Sequence, residues 1–403
     1  MLNWSQQFNI FCFLDNQDYT IQPHRYDCLL AVGSTHTIDA TQADFSAVDA
    51  FLSKKTWSFG HLSYDLGQGW YGLPADLKDG VGFSRFYFFQ PEYLIRIIGE
   101  QVLIDGGDTI KIFKEIQEQR IVHAPPSVVT FQSRYTKETY IETIQKLQQH
   151  IQLGDCYEIN FCQEFFAADV AIAPLSVFEK LQEVSPNPFS ALYKVQNSYL
   201  LCASPERFLC KEGHTLYSQP IKGTSKRFPS DSEQDQAAKE ALYHSAKDRS
   251  ENVMVVDLVR NDLSKVCKEG SVQVDELFGI YAFPQVHQMI STISGELKPD
   301  ISFSEIIKAT FPMGSMTGAP KKKVMELIHQ YEAGNRGIFS GSIGYIGPDG
   351  NFDFNVVIRS VMYNAQTKYL SYQVGSGITI YSHPEQEWEE CQLKAEAIKK
   401  VLT

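Results

Sequence analysis

Apolar residues recur along this chain in two periods. Between 1 and 120, short apolar runs such as Phe11-Cys12-Phe13-Leu14 and Phe83 to Phe89 are broken by Gly, Pro and Asp, which predicts strands with helical patches between them. At 121–129 the run IVHAPPSVV marks a connection, because Pro125-Pro126 cannot continue a helix. Thr136 is then placed to cap a helix. Tyr140, Ile141, Ile144, Leu147 and Ile151 recur at helical spacing, and Gly154 ends the segment. Cys156 to Phe166 reads as a strand, followed by strands at about 189–194, 199–203, 206–210 and 215–221. The strand pattern returns at 338–347, 352–363 and 369–379. Amphipathic helices are expected near 234–246, 248–256, 303–309, 319–332 and 384–402. Strands and helices mix without strict alternation. That predicts an α+β fold with mostly antiparallel sheets, not a doubly wound parallel one. Two regions are expected, 1–120 and 125–403, packed against each other.

Composition narrows the class. With 403 residues, 43% of them hydrophobic, the chain can bury a large core. A net charge of −12 argues against nonspecific nucleic-acid binding, which needs clustered Lys and Arg. An anionic small substrate then requires a local cationic site or a metal. The eight cysteines are scattered, with no C-x-x-C pair and no zinc spacing, so they read as reduced thiols of a cytoplasmic protein. The start, MLNWSQQFNI, has no basic stretch leading into an apolar run, so no signal peptide is expected. No run approaches the roughly 18 apolar residues of a membrane span.

Against that background Lys222 stands out. It lies in Pro220-Ile221-Lys222-Gly223-Thr224, one hairpin after Ser204-Pro205-Glu206-Arg207-Phe208, in an apolar, strand-like setting. A surface lysine at a strand end would read the same; a lysine buried beside a carboxylate can act as nucleophile or proton carrier. Asp248 and Glu251 sit three apart on one predicted helix, and Glu387 and Glu390 do so on another, with Lys394 one turn on. Like charges at that spacing oppose a helix unless solvent or a cation absorbs them. Each pair alone reads as a solvated face, while together they outline a site for Mg²⁺. In Phe311 to Lys321, Gly314, Ser315, Thr317 and Gly318 form a loop entering a helix with Pro320 in its first turn, either a plain capped turn or an anion site. Arg359 ends an apolar strand run and suits a carboxylate, of the protein or of a ligand. Gly344-Tyr345 and Gly375-Ser376-Gly377 allow backbone to approach a ligand. Met254 to Leu263 reads as an apolar helix entering a polar turn, with Asp257, Arg260 and Asp262 in structural ion pairs and caps.

The strings GDCYEINFCQEF, SPERF, PIKGT, DRSENVMVVDLVRNDL, FPMGSMTGAPK, GSIGYIG, FNVVIRS, YQVGSGI and EWEECQLKA, in that order, resemble the chorismate-utilising enzymes across roughly 125–403. GHLSYD, from Gly60 to Asp65, looks like a motif of the same enzymes. The resemblance implies a sandwich of antiparallel sheets with helices outside, as in anthranilate synthase component I, with 125–403 as the catalytic region. Within the family a lysine at position 222 resembles the aminodeoxychorismate synthase branch. Anthranilate and isochorismate synthases usually carry a small residue there. Isochorismate and salicylate synthases place a water-activating lysine where this chain has Glu158, a position that is commonly glutamine. Lys226 in place of proline and Ser250 in place of alanine are further departures.

The resemblance implies amination of chorismate to 4-amino-4-deoxychorismate for 4-aminobenzoate and folate. Glu206 would protonate the departing hydroxyl, Lys222 would attack the ring, and His287 would stand near the leaving group. Glu251 and Glu390 would ligate Mg²⁺, with Asp248 and Glu387 behind them. Tyr345, Arg359, Gly375, Gly377, Ser315, Thr317 and Lys394 would surround the substrate. No G-x-C-x-G elbow occurs among the cysteines, so ammonia would come from a separate glutaminase subunit. The competing readings are anthranilate synthase component I, which also expels pyruvate, and a non-catalytic protein on the same scaffold. The first lacks the lysine and shows a tryptophan motif absent here; the second needs Glu206, Glu251 or Glu390 to be lost.

Overall fold

Ile10–Asp15 and Cys28–Val32 send alternate side chains into two different cores. Ile10, Cys12, Leu29 and Ala31 join one apolar cluster, and Phe11, Phe13, Leu30 and Val32 join another. Strands buried on both faces belong in the middle of a layered fold. The computed structural model of the chain shows those layers; it describes residues 1–403 except 40–44, 75–76, 78, 120–127 and 403. The Pro125-Pro126 connection lies outside the described residues.

Among the described residues, one sheet has eleven strands and a second has ten. The first runs from Gly318–Ala319 through Glu158–Ala167, Tyr369–Ile378, Ser360–Asn364, Ser198–Ser204, Phe189–Val195, Ile10–Asp15, Cys28–Val32 and Tyr93–Ile98 to Gln101–Asp105. The second runs from Ile221–Lys226 through Val286–Glu296, Thr215–Gln219, Arg207–Glu212, Phe352–Asn355, Ser342–Ile346, Ser58–Leu62 and Phe86–Gln90 to His36–Asp39. The pairings are antiparallel. Ala191, Tyr193 and Cys202 of the first sheet share one core with Phe59, Phe88 and Phe354 of the second, so the sheets form a sandwich. Helices cover the far face of the first sheet. Val177, Phe178 and Leu181 of Pro174–Val184 pack there, as do Cys391, Ala395 and Ile398 of Pro384–Lys399. Strands from before residue 120 pair with later ones in both sheets, Ile10–Asp15 with Phe189–Val195 and Ser58–Leu62 with Ser342–Ile346.

Local details depart from the sequence pattern in four places. The strand expected at 215–221 stops at Gln219 and resumes as Ile221–Lys226, because Pro220 has no N–H for the ladder. The run at 352–363 divides into Phe352–Asn355 and Ser360–Asn364, with Arg359 in the break at φ +50°. The polar turn expected after 256 is helix: Ala246–Val266 continues through it, with Arg260 on Asp257 at 2.8 Å and Lys265 on Asp262 at 2.9 Å. Finally, Gln273–Ala282 and Val286–Glu296 form a long hairpin. Its register shifts and the left-handed Phe278 (φ +61°) obscure the period of two.

Candidate active site

Lys222 owes its direction to a bulge. Ile221 pairs with Ile290 and Thr224 with Gln288, so an extra residue is inserted between them, and Gly223 takes φ +101°. Such an insertion re-aims the side chains beside it. Asp248 on Ala246–Val266 lies 3.0 Å from where a Cβ of Gly223 would stand, which leaves room there for glycine alone. Lys222 Nζ donates to Glu158 Oε1 at 2.6 Å, with the two side chains 11% and 5% exposed. Glu158 opens Glu158–Ala167 of the other sheet, so the ion pair joins the ends of both sheets. Gly377 lies against it, and a Cβ there would be 2.6 Å from Glu158 Oε1 and 2.8 Å from Lys222 Nζ.

Charge converges on this pair. Burial pulls the Lys222 ammonium down, but Glu158, Glu251 and Glu206 outweigh it and hold the net shift upward. The free protein therefore carries a protonated lysine, and burial does not by itself free the amine. Glu206 is 4% exposed, and burial pushes its carboxyl up to about 7 against Ser315, Lys222, the Ile221 N–H and Arg359. Burial also pushes Glu251 up to about 7, helped by Glu158 and Asp248 and opposed by Lys222 and Lys247. Arg359 is lowered to about 10 by burial, with Glu206 opposing. Its side chain has no hydrogen bond or ion pair among the described residues, so the guanidinium is available to an anion.

Next to this arginine the ladder is open. Ser360–Asn364 pairs with Tyr369–Ile378 only as far as Tyr372, leaving the stretch through Gly375 and Gly377 without a partner strand on that side among the described residues. On the other side Gly375 and Gly377 pair with Cys162 and Asn160 of Glu158–Ala167, whose own N–H groups are taken by Glu332 Oε1 at 2.8 Å and Thr317 O at 2.7 Å. Lys394 Nζ donates to Gly375 O at 2.9 Å and pairs with Glu390 at 2.8 Å.

The Gly314–Met316 turn delivers Ser315 to Glu206. Thr317 is turned inward, its hydroxyl donating to Met313 O at 3.0 Å. Arg336 holds this loop: it is 2% exposed and bonds Met316 O, Asn160 O and both oxygens of Glu332. Sequence reasoning missed this clamp. The i,i+4 spacing of Glu332 and Arg336 was its one trace.

Two expected site residues stand apart. Tyr345 packs with Tyr26, Trp57 and Phe59 and lines a cleft near Arg25, Arg207 and Asp353. His287 points to helix Ser232–His244, with Nε2 3.1 Å from Asp235 Oδ1, and Asp235 also holds Arg227. Neither is brought together with Lys222 and Glu206.

The four acidic helix residues fit a hard cation in part. Glu251 and Glu390 both feel Lys222 and Lys247, which places them around one centre. Burial raises Glu390, but Lys394, Lys247 and Lys222 bring its net shift below the usual value. Glu387 is 4% exposed, and its buried Oε2 has no hydrogen-bond partner. A carboxylate oxygen left in that state welcomes a cation. Asp248 is instead engaged with Ser245 at the helix start. Among the described residues, no three His, Cys, Asp or Glu side chains already converge as a metal cluster.

A buried lysine among carboxylates, an available arginine and an open glycine strand end define an enzyme site for a small anion. The chain belongs to the chorismate binding enzyme family, which matches residues 11–400. Aminodeoxychorismate synthase component 1 of Escherichia coli (strain K12) is 39% identical over 357 residues, 86% of this chain and 76% of that protein. The protein of the same name from Bacillus subtilis (strain 168) is 34% identical over 278 residues, 69% of this chain and 58% of that one. In fold, the chain resembles the crystal structure of anthranilate synthase component I from Streptococcus pneumoniae TIGR4, with a TM-score of 0.82 at 22% identity over 96% of this chain and 95% of the other.

Proposed function

We propose that this enzyme replaces the 4-hydroxyl of chorismate with an amine, giving 4-amino-4-deoxychorismate for 4-aminobenzoate and folate synthesis, with Lys222 as a covalent nucleophile. The observation that carries this reading is the buried Lys222, held 2.6 Å from Glu158 and electrostatically coupled to Glu206. A lysine held there has no packing use, and it faces an acid suited to protonating a leaving hydroxyl. Glu206, raised to about 7, is largely neutral under mildly acidic to neutral conditions and can donate. Arg359 and the open strand end at Gly375 and Gly377 orient a carboxylate of the substrate. Attack by Lys222 then forms a bond to the ring as the hydroxyl leaves as water, and ammonia displaces the lysine.

Glu251, Glu390 and Glu387 would hold Mg²⁺, which would neutralise a substrate carboxylate that these acidic side chains otherwise repel. The eight cysteines are buried, which supports ammonia arriving from a separate glutaminase subunit. Among the described residues no helix is long and apolar enough to cross a membrane, and we place the enzyme in the cytoplasm.

The test is incubation with chorismate, Mg²⁺ and an excess of ammonium salt near neutral pH, with products resolved by chromatography and mass. The expected product carries an amine in place of the hydroxyl and keeps the enolpyruvyl group. Anthranilate with pyruvate would overturn the reading in favour of the other branch.

A further inference from the structure

Resting on the amination reading, we propose that Glu158 is the base that takes the Lys222 proton, so that the pair carries its own proton through each turnover. The geometry singles out this carboxylate. Glu158 Oε1 is the acceptor of the Nζ hydrogen bond at 2.6 Å, and both partners are buried. No other carboxylate lies within ion-pairing reach of Nζ among the described residues. Glu251 on Ala246–Val266 and Glu390 on the last helix act on Lys222 only through longer-range charge. Glu206 cannot serve, because it must itself arrive protonated. The cations facing the cluster are Lys247 on Ala246–Val266, Lys394 beside Glu390 on the last helix, and Arg359, which acts on Glu206, while Asp248 adds negative charge beside Glu251. Gly377 supplies no side chain that could move between the two partners.

The step balances. The proton passes from Lys222 Nζ to Glu158 Oε1. The amine lone pair forms the bond to carbon 2, both conjugated ring double bonds shift by one position towards carbon 4, and the bond from carbon 4 to oxygen breaks. Glu206 supplies the proton that turns the leaving hydroxyl into water. Ammonia then bonds to carbon 4, and the electrons return to Lys222 as its bond to carbon 2 breaks. The new ammonium gives its extra proton to Glu206, and Glu158 returns its own to Lys222. The sum is chorismate plus ammonia giving aminodeoxychorismate plus water.

Because the proton moves inside the pair, freeing the amine costs the same at every pH between the ionisations of the two partners. Without Glu158 the proton must leave for solvent, and the free-amine fraction grows about tenfold per pH unit until the lysine is fully deprotonated. The experiment measures kcat for wild type and Glu158→Gln from about pH 6.5 to 8.5, with saturating Mg²⁺ and chorismate and a constant concentration of unprotonated ammonia. Titration of Glu206 and of ammonia affects both proteins and cancels in their ratio. Expected is a variant-to-wild-type ratio of about 0.1 or less near pH 7 that climbs toward tenfold per unit, with the chorismate KM within about threefold. A ratio that stays level with pH, or a variant as fast as wild type at pH 7, overturns the proposal while leaving the amination reading intact. Wild type that makes no aminodeoxychorismate overturns both. Should Glu158→Gln fail to fold, Glu158→Asp decides. It keeps a carboxylate, so its ratio stays level with pH, and a climbing ratio overturns the proposal.

Discussion

Replacing Gly377 with alanine separates chemistry from stability. Gly377 pairs with Asn160 in the ladder, and its φ lies outside the left-handed range, so the backbone accepts alanine. The added Cβ would stand 2.6 Å from Glu158 Oε1 and 2.8 Å from Lys222 Nζ, where ordinary contact begins at 3.4 Å. One or both side-chain ends must therefore retreat by about 0.6–0.8 Å. These are flexible ends, and alanine also restricts the unfolded chain, so global stability should change by no more than about 1 kcal/mol. Turnover should suffer far more. A nucleophile displaced on the ångström scale loses roughly 10²-fold in rate, about 2.7 kcal/mol of barrier. The assay is steady-state formation of aminodeoxychorismate with saturating ammonia, alongside urea unfolding of the same preparation. Gly375→Ala is the contrasting control. Its Cβ would meet Cys162 Sγ at 2.4 Å and the Phe161 carbonyl at 2.7 Å, so overpacking should cost about 1–3 kcal/mol of stability. A Gly377→Ala enzyme with kcat within about threefold of wild type would refute the reasoning, as would destabilisation matching that of Gly375→Ala.

Three further outcomes are expected. Glu206→Gln should lower kcat by about 10²–10⁴-fold and abolish the loss of activity as pH rises through about 7. The folded pKa of Glu206 lies above its ordinary 4.5, so its stabilising contribution is complete below pH 4.5 and is lost as pH rises to about 7. The glutamine variant escapes that loss and should resist urea better than wild type at pH 8, by up to about 3 kcal/mol. Arg359→Lys should raise the chorismate KM by about 10-fold or more, because an ammonium cannot grip a carboxylate in two places; direct binding measurements with chorismate check this. His287→Ala should leave kcat within about twofold and cost about 1–2 kcal/mol in chemical unfolding, since Asp235 retains Arg227 and the Phe228 N–H. A 100-fold loss of kcat would instead bring His287 to the substrate.

Much of the fold follows from local pattern. The short apolar runs of Ile10–Asp15, Phe189–Val195 and Ser198–Ser204, and the capped period of 3.6 in Lys137–Gln152, are properties of short segments that packing reinforces. The ordered strings around Lys222, Glu206 and Glu390 identify the family because they reside in primary structure. Tertiary structure decided direction and distance. Tyr345 and Arg359 lie fourteen residues apart across a hairpin, yet one lines a separate aromatic cleft while the other acts on Glu206. His287 sits on a strand whose bulged hairpin turns it toward Asp235. Glu158 and Lys222 are 64 residues apart and belong to different sheets, so their contact exists only once the sandwich closes. Sequence alone therefore determined which ionisable groups the chain carries and which segments bear them. Which groups are desolvated, which share a proton and which are only structural depend on burial and neighbouring charge, and both arise from packing between segments remote in the chain.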